Sequence, residues 1–151
     1  MEQRTRMNDI QKNRMKQIRR ESREDYLEAM LLLQEQMEEI RSSDLAAYMG
    51  FSRASVSQAV LSLEKEGFLV MDEKYCLHLT EEGSVMAKDT YRKHTYFEKN
   101  LLLADIDPLT ADREARRLGH AISLKSFEKI AASGMQKEEA LYRDEKTDSK
   151  A

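Results

Sequence analysis

The stretch "RSSDLAAYMGFSRASVSQAVLSLEKEGFL", residues 41–69, contains two short helices separated by a tight turn. Gly50 ends the first helix, and Ser52 stands where a side-chain oxygen can cap the second, predicted over residues 53–66. Gly67 supplies a residue that adopts the left-handed conformation needed to stop that helix. The stretch therefore predicts a helix-turn-helix, the unit that places its second helix in a DNA groove.

The second helix has one apolar face and one small, polar face. Its predicted buried stripe follows helical spacing and consists of Val56, Val60 and Leu63. The opposite face is small enough for the backbone to enter a major groove. Gln58 has the donor–acceptor pair that reads adenine, and Arg53 can bind a phosphate. The candidate DNA contacts on this helix and its cap are Ser52, Arg53, Ala54, Ser55, Ser57 and Gln58.

The flanking segments complete a winged helix-turn-helix over residues 22–80. An amphipathic helix, expected from Ser22 to about Glu39, precedes the pair. The segment "FLVMDEKYCLHLT", residues 68–80, alternates around a polar turn and predicts a two-stranded hairpin, with Lys74 at its tip as a further phosphate contact. A helical protein-binding hairpin is the alternative interpretation of the same order of elements.

The remaining chain predicts helices and little else. Thr80 is positioned to cap a helix over residues 81–103, and "DIDP" breaks the chain before helices over residues 110–120 and 123–132. This apolar, turn-poor region, residues 81–135, predicts a helical domain for dimerisation. A polar, disordered tail is expected at 136–151. The expected fold is thus mainly α, a winged helix-turn-helix domain followed by an α-helical dimerisation domain.

Composition limits where the protein acts and what it binds. The single cysteine, Cys76, excludes an internal disulfide, and neither a membrane span nor an apolar leader is evident, so a cytoplasmic protein is expected. The segment from Met1 to Arg23 carries eight Lys/Arg against three Asp/Glu. A basic extension, residues 1–21, indicates a polyanionic partner such as double-stranded DNA, or else a solvated tail.

Five stretches of the chain resemble the diphtheria-toxin-repressor and manganese-transport-regulator family of dimeric, metal-activated repressors. They are "SREDYLEAMLLL" (22–33), the stretch 41–69, "LHLTEEGSVMA" (77–87), "YRKHTYFEKNLL" (91–102) and "EARRLGHAIS" (114–123). The resemblance covers most of residues 22–132 and is to the short form without an SH3-like domain. It implies a homodimeric repressor that binds operator DNA in response to Mn²⁺ or Fe²⁺.

The resemblance also implies a set of metal ligands. Asp25 and Glu28 match a ligand pair on the first helix, and His94 and His120 match the ligand histidines of two later helices. Glu98, one turn after His94, matches a carboxylate that supports a second metal in some members. Carboxylates and imidazoles without a thiolate suit Mn²⁺ or Fe²⁺.

Two positions depart from the family pattern. Relatives carry Glu or Cys where this chain has Arg116, and Glu where it has Gly119. Three interpretations stay open: one metal bound by the remaining ligands and water, Arg116 in place of the cation with no metal required, or Glu114 as a substitute ligand. In the second interpretation, the Arg116 guanidinium would pair with Asp25, Glu28 or Glu98.

Other classes of protein have less support in the sequence. No nucleophile triad or phosphate-binding loop accompanies the carboxylates and histidines, so an enzyme is not expected. An interaction adaptor that does not bind DNA remains the alternative from a different class.

Overall fold

The computed structural model describes residues 2–134, whose contacts divide the chain into two compact units, Met1–Tyr91 and Arg92–Ala151. The first unit is a winged helix-turn-helix and the second is helical, which confirms the expected fold class. The elements are α1 (Glu2–Gln34), α2 (Ser42–Met49), α3 (Arg53–Lys65), β1 (Leu69–Met71), β2 (Leu77–Leu79), α4 (Glu81–Leu103) and α5 (Pro108–Ala121). Residues 124–134 form a further helix, α6.

The core of the first unit joins α1, α2, α3 and the hairpin. The strands are antiparallel, with Leu69 opposite Leu79 and Met71 opposite Leu77. The Leu77 N–H donates to the carbonyl of Ile40 at 2.7 Å, which attaches the hairpin to the connection between α1 and α2. The largest fully buried apolar side chains come from every one of these elements: Leu27, Met30, Ile40, Leu45, Val56, Val60, Leu69 and Leu77.

The first helix is longer than the sequence predicted and ends sooner. α1 begins at Glu2, so Ser22 lies inside it and is not its cap. Nothing before Ser22 breaks a helix, since no proline or glycine occurs there. The predicted end near Glu39 was also wrong, because the N–H of Gln36 bonds to the Leu33 carbonyl at 2.9 Å and closes a tight last turn.

Capping determines the other helix boundaries. The predicted caps Ser52 and Thr80 are confirmed, since each hydroxyl oxygen accepts a backbone N–H from three residues ahead, at 3.2 and 3.1 Å. α2 begins at Ser42, and the Arg41 N–H before it donates to the Asp44 carboxylate at 2.9 Å.

The start of α5 also differs from the expectation of about residue 110. Asp107 accepts the Thr110 N–H at 3.0 Å, and Pro108 occupies the first helical position, where no N–H is needed. That backbone hydrogen bond holds the pKa of the Asp107 carboxyl below its ordinary value. The tail expected at 136–151 lies outside the described residues. Across residues 2–134, no helix combines the length and apolarity needed to cross a membrane.

Candidate DNA-reading helix and metal centre

The face of α3 opposite its buried stripe is open to solvent. Val56 and Val60 are at most 1% exposed, whereas every candidate contact from Ser52 to Gln58 on the other face is exposed. Ser52 accepts the Ser55 N–H at 3.2 Å, and the two hydroxyls are 2.8 Å apart, so the start of the helix is well ordered by its cap. The helix thus presents a polar N-terminal half with its backbone accessible.

One residue on this face was missed in the sequence. Leu61 lies one turn after Ser57 and is 63% exposed, although it is a large apolar side chain. Apolar side chains in a major groove contact the methyl group of thymine. The sequence offered two signals for Leu61. It follows Ser57 by one helical turn, and it does not belong to the predicted buried stripe of Val56, Val60 and Leu63.

A carboxylate organises the tip of the hairpin. Asp72 accepts the N–H groups of Lys74 and Cys76 at 2.8 and 2.9 Å and hydrogen-bonds to His78 Nε2 at 2.8 Å. The hydrogen bond from His78, followed by that from the Cys76 N–H, holds the pKa of the Asp72 carboxyl below its ordinary value. Lys74 is exposed at this tip, beside Tyr75, whose φ of 63° places it in the left-handed region. The turn is therefore held in one shape, with Lys74 facing solvent.

The second unit brings one imidazole and two carboxylates together. His94 Nε2 lies 3.1 Å from Glu98 Oε2, one turn along α4, and 3.0 Å from Asp112 Oδ1 on α5. The three ligand atoms lie within 4.8 Å of one another. His94 is buried, whereas both carboxylates are partly exposed. One nitrogen and two anionic oxygens at this separation fit a divalent ion such as Mn²⁺ or Fe²⁺.

Asp112 was not singled out in the sequence. It lies eight residues before His120 on α5, and its relation to His94 arises only from the contact between α4 and α5. Its second oxygen, Oδ2, accepts a long hydrogen bond of 3.4 Å from Arg116 Nε, one turn further along α5. Asp112 is thus shared between the imidazole and the guanidinium.

The other ligands implied by the family pattern belong to both units. In the first unit, Glu28 is 1% exposed and Asp25 is half-buried, both on α1. In the second unit, His120 is 8% exposed at the end of α5. A Cβ on Gly119 would lie 3.5 Å from the Lys93 Cβ, an ordinary contact, so close packing does not require glycine there. The structure brings together His94 and Glu98 from the expected set and adds Asp112 to them.

Comparison with known proteins identifies relatives of both units. The profile of a family described as "Iron dependent repressor, N-terminal DNA binding domain" matches residues 20–77. A protein named "Transcriptional regulator MntR", from Salmonella typhimurium, is 30% identical over 118 residues, which are 78% of this chain and 75% of the relative.

Solved structures resemble the chain over a similar extent. The "Structure of the manganese regulator SloR" superposes with a TM-score of 0.63 at 29% identity, covering 73% of this chain and 53% of that one. A "Manganese-dependent transcriptional repressor complex with manganese" superposes with a TM-score of 0.63 at 26% identity, covering 74% of this chain and 51% of that one. The chain therefore spans about half the length of these two solved proteins.

Proposed function

Because this chain belongs to the diphtheria-toxin-repressor and manganese-transport-regulator family of DNA-binding transcriptional regulators, we propose that it is a homodimeric, cytoplasmic repressor that responds to Mn²⁺ or Fe²⁺. The observation that carries the proposal is the cluster of His94, Glu98 and Asp112, a ligand set for a divalent ion in the unit that follows the DNA-binding fold. We assign residues 22–80 to DNA binding and residues 81–135 to metal binding and dimerisation.

The proposed DNA contact is the exposed face of α3. The groups offered to DNA are those of its N-terminal half and of the hairpin tip: Ser52, Arg53, Ala54, Ser55, Ser57, Gln58 and Lys74. Gln58 supplies the amide that pairs with adenine, and Arg53 and Lys74 supply charges for phosphates. The exposure of this whole face, above a stripe that is fully buried, supports the assignment.

The proposed metal ligands are His94, Glu98 and Asp112, with His120, Asp25 and Glu28 as the further ligands that the family pattern implies. When bound, the ion supplies a double positive charge that neutralises the carboxylates and joins donors from different helices. His94 is held by its burial and by its two carboxylate partners, so its Nε2 points at the proposed site. Metal binding would then shift the conformational equilibrium of the regulator only by as much as the affinity for the ion differs between its conformations.

The proposed dimer uses the second unit. Large apolar side chains are exposed around the turn between α4 and α5, with Leu103 at 73% and Leu109 at 84% exposure, and Leu102 at 41% beside them. Leucines in such number at one turn of a small helical unit are typical of a surface that another protein covers. A two-fold dimer would present two α3 helices to a symmetric operator.

The test measures metal content and DNA affinity on the same protein. Duplexes are first selected from a random 30-bp library with the wild-type protein in Mn²⁺, and their affinity is then measured with Mn²⁺ and with a chelator. We expect tighter binding with Mn²⁺, and we expect Asp112→Asn to lower bound Mn²⁺ and its effect on DNA affinity by about 10-fold or more.

The matched control is Asp105→Asn, which removes one carboxylate from the turn after α4. Asp105 has a φ of 61°, which asparagine tolerates, so the fold should be preserved. Equal losses in the two variants would refute the assignment of Asp112. Failure to select any duplex would instead favour an interaction adaptor that does not bind DNA.

A second candidate is a regulator that needs no metal. The hydrogen bond from Arg116 to Asp112 favours it, because the guanidinium supplies a permanent cation beside the ligand cluster. In this case the chelator would leave DNA affinity unchanged, and no Mn²⁺ would remain in the purified protein.

A further inference from the structure

One side of α1 carries a row of cations that the proposed function does not use. Lys12, Lys16, Arg19 and Arg23 follow one another at spacings of four, three and four residues, so their side chains share a face of the helix. Lys12, Lys16 and Arg19 are exposed, and Arg23 is half-buried. We call the three exposed residues the basic row.

The row begins where α1 is attached to the DNA-reading helix. Arg23 Nη2 lies 2.7 Å from Glu66 Oε2 at the C-terminal end of α3, and the Arg23 guanidinium stacks 5.5 Å from the centre of the Phe68 ring. Arg19, one turn earlier, lines a groove of about 360 Å³ together with Ser62 of α3 and Glu66, the residue that follows α3. Lys16 and Lys12 continue the same face toward the N-terminus of the helix.

This arrangement favours an anionic partner. Lys12 and Lys16 are one turn apart, as are Lys16 and Arg19, so their like charges repel within the helix. Among residues 2–20 only Glu2 and Asp9 are acidic, so the segment itself offers little compensation.

The spacing of the row suits the backbone of double-stranded DNA. From Lys12 to Arg19 the helix rises about 10 Å at 1.5 Å per residue. That distance corresponds to about three base pairs at a rise of about 3.4 Å, so the three side chains can each meet a different phosphate. The attachment of Arg23 to Glu66 keeps this face in line with the C-terminal end of α3.

We propose that the basic row binds backbone phosphates in the DNA that flanks the segment read by α3. The inference rests on the proposed binding of DNA by α3, and it adds an element that raises affinity without reading sequence, since phosphate contacts carry no base information. It gives the N-terminal part of α1 a defined role as a clamp on flanking DNA.

The experiment compares two charge-matched double variants of the full chain. The row variant, Lys12→Gln/Lys16→Gln, removes two charges from the basic row. The control variant, Arg6→Gln/Arg14→Gln, removes two exposed charges that on average point to the other side of α1. The probe is a duplex selected by the wild-type protein, prepared without flanks and with 15-bp flanks of random sequence. Affinity is measured from 50 to 200 mM salt, and circular dichroism checks that each variant is folded.

We expect the row variant to lower the slope of log affinity against log salt by about 1.8 on the flanked duplex, because each lost phosphate contact removes about 0.9. On the duplex without flanks it should bind like the wild type, and the control variant should change the slope by less than half as much. Equal slopes for the two variants, or unchanged slopes for both, would overturn the proposal. Failure of the wild type to select a duplex would overturn the proposed function itself. Phosphate binding by the basic row would then be tested by the same salt series on a duplex of random sequence.

Discussion

At the scale of single residues, the carboxylate of Asp112 has two competing partners. One oxygen lies 3.0 Å from His94 Nε2 and the other accepts the 3.4 Å hydrogen bond from Arg116. A divalent ion at the ligand cluster would have to share Asp112 with the guanidinium. Because Arg116 is about a third exposed, at 36%, water screens much of its charge. Arg116 should thus weaken the metal site without abolishing it.

We expect Arg116→Gln to bind Mn²⁺ roughly three- to tenfold more tightly, since it removes the competing cation, and a tenfold change corresponds to about 1.4 kcal/mol. Isothermal titration calorimetry measures the effect directly. Arg117→Gln is the control, because it removes the same charge from the adjacent, exposed position. Equal affinities in the two variants would show that Arg116 does not act on the cluster.

At the scale of elements, the packing of α4 against the start of β1 depends on a glycine. A Cβ on Gly83 would lie 2.0 Å from the Phe68 carbonyl oxygen, far inside contact distance. The same carbonyl accepts the Thr80 N–H at 3.1 Å, and the Thr80 hydroxyl donates to the Gly67 carbonyl at 2.7 Å. The backbone is therefore held on both sides and has little freedom to move away.

Gly83→Ala should reduce the free energy of unfolding by about 1–3 kcal/mol, because the overpacking outweighs the roughly 1 kcal/mol that alanine normally adds to a helix. Urea denaturation followed by circular dichroism provides the measurement. Ser84→Ala, one residue further along the same turn, should stay within about 0.5 kcal/mol of the wild type. A Gly83→Ala protein as stable as the wild type would contradict the close approach.

At the scale of the whole molecule, the exposed leucines of the second unit support assembly. Leu103 and Leu109 expose most of their side chains at the turn between α4 and α5. Burying a leucine contributes about 1.5–3 kcal/mol, and a two-fold interface counts each residue twice. The proposed homodimer would use this surface and would also place two copies of α3 on DNA.

Leu103→Glu/Leu109→Glu should convert the dimer to a monomer at micromolar concentration, because burying unpaired carboxylates opposes association. We expect the dissociation constant to rise by at least about a hundredfold, as measured by analytical ultracentrifugation. Val70→Glu is the control, since Val70 is 48% exposed but lies in the first unit and outside residues 81–135. A double variant that remains dimeric would place the interface elsewhere.

Much of the fold was predictable from neighbouring residues. The position of α3, its Ser52 cap and the stop at Gly67 depend on contacts within a few residues, so the pattern contained them. The bounds of α1 were not predictable in this way. Its start is continuous with a polar segment that lacks any breaker, and the Ile40 carbonyl beyond its end accepts the N–H of Leu77, a residue distant in the sequence.

The candidate metal centre was likewise predictable only in part. His94 and Glu98 are one helical turn apart, so the sequence by itself determined that they share a face of α4. The family resemblance pointed to both, and it also marked Arg116 as a departure. Only the tertiary structure decided that Asp112 joins them, because the contact between α4 and α5 links residues 18 positions apart. Arg116 lies near Asp112 by helical spacing alone, since the two residues are one turn apart on α5. Helical periodicity determines which side chains lie on one face, whereas packing between helices determines which faces meet.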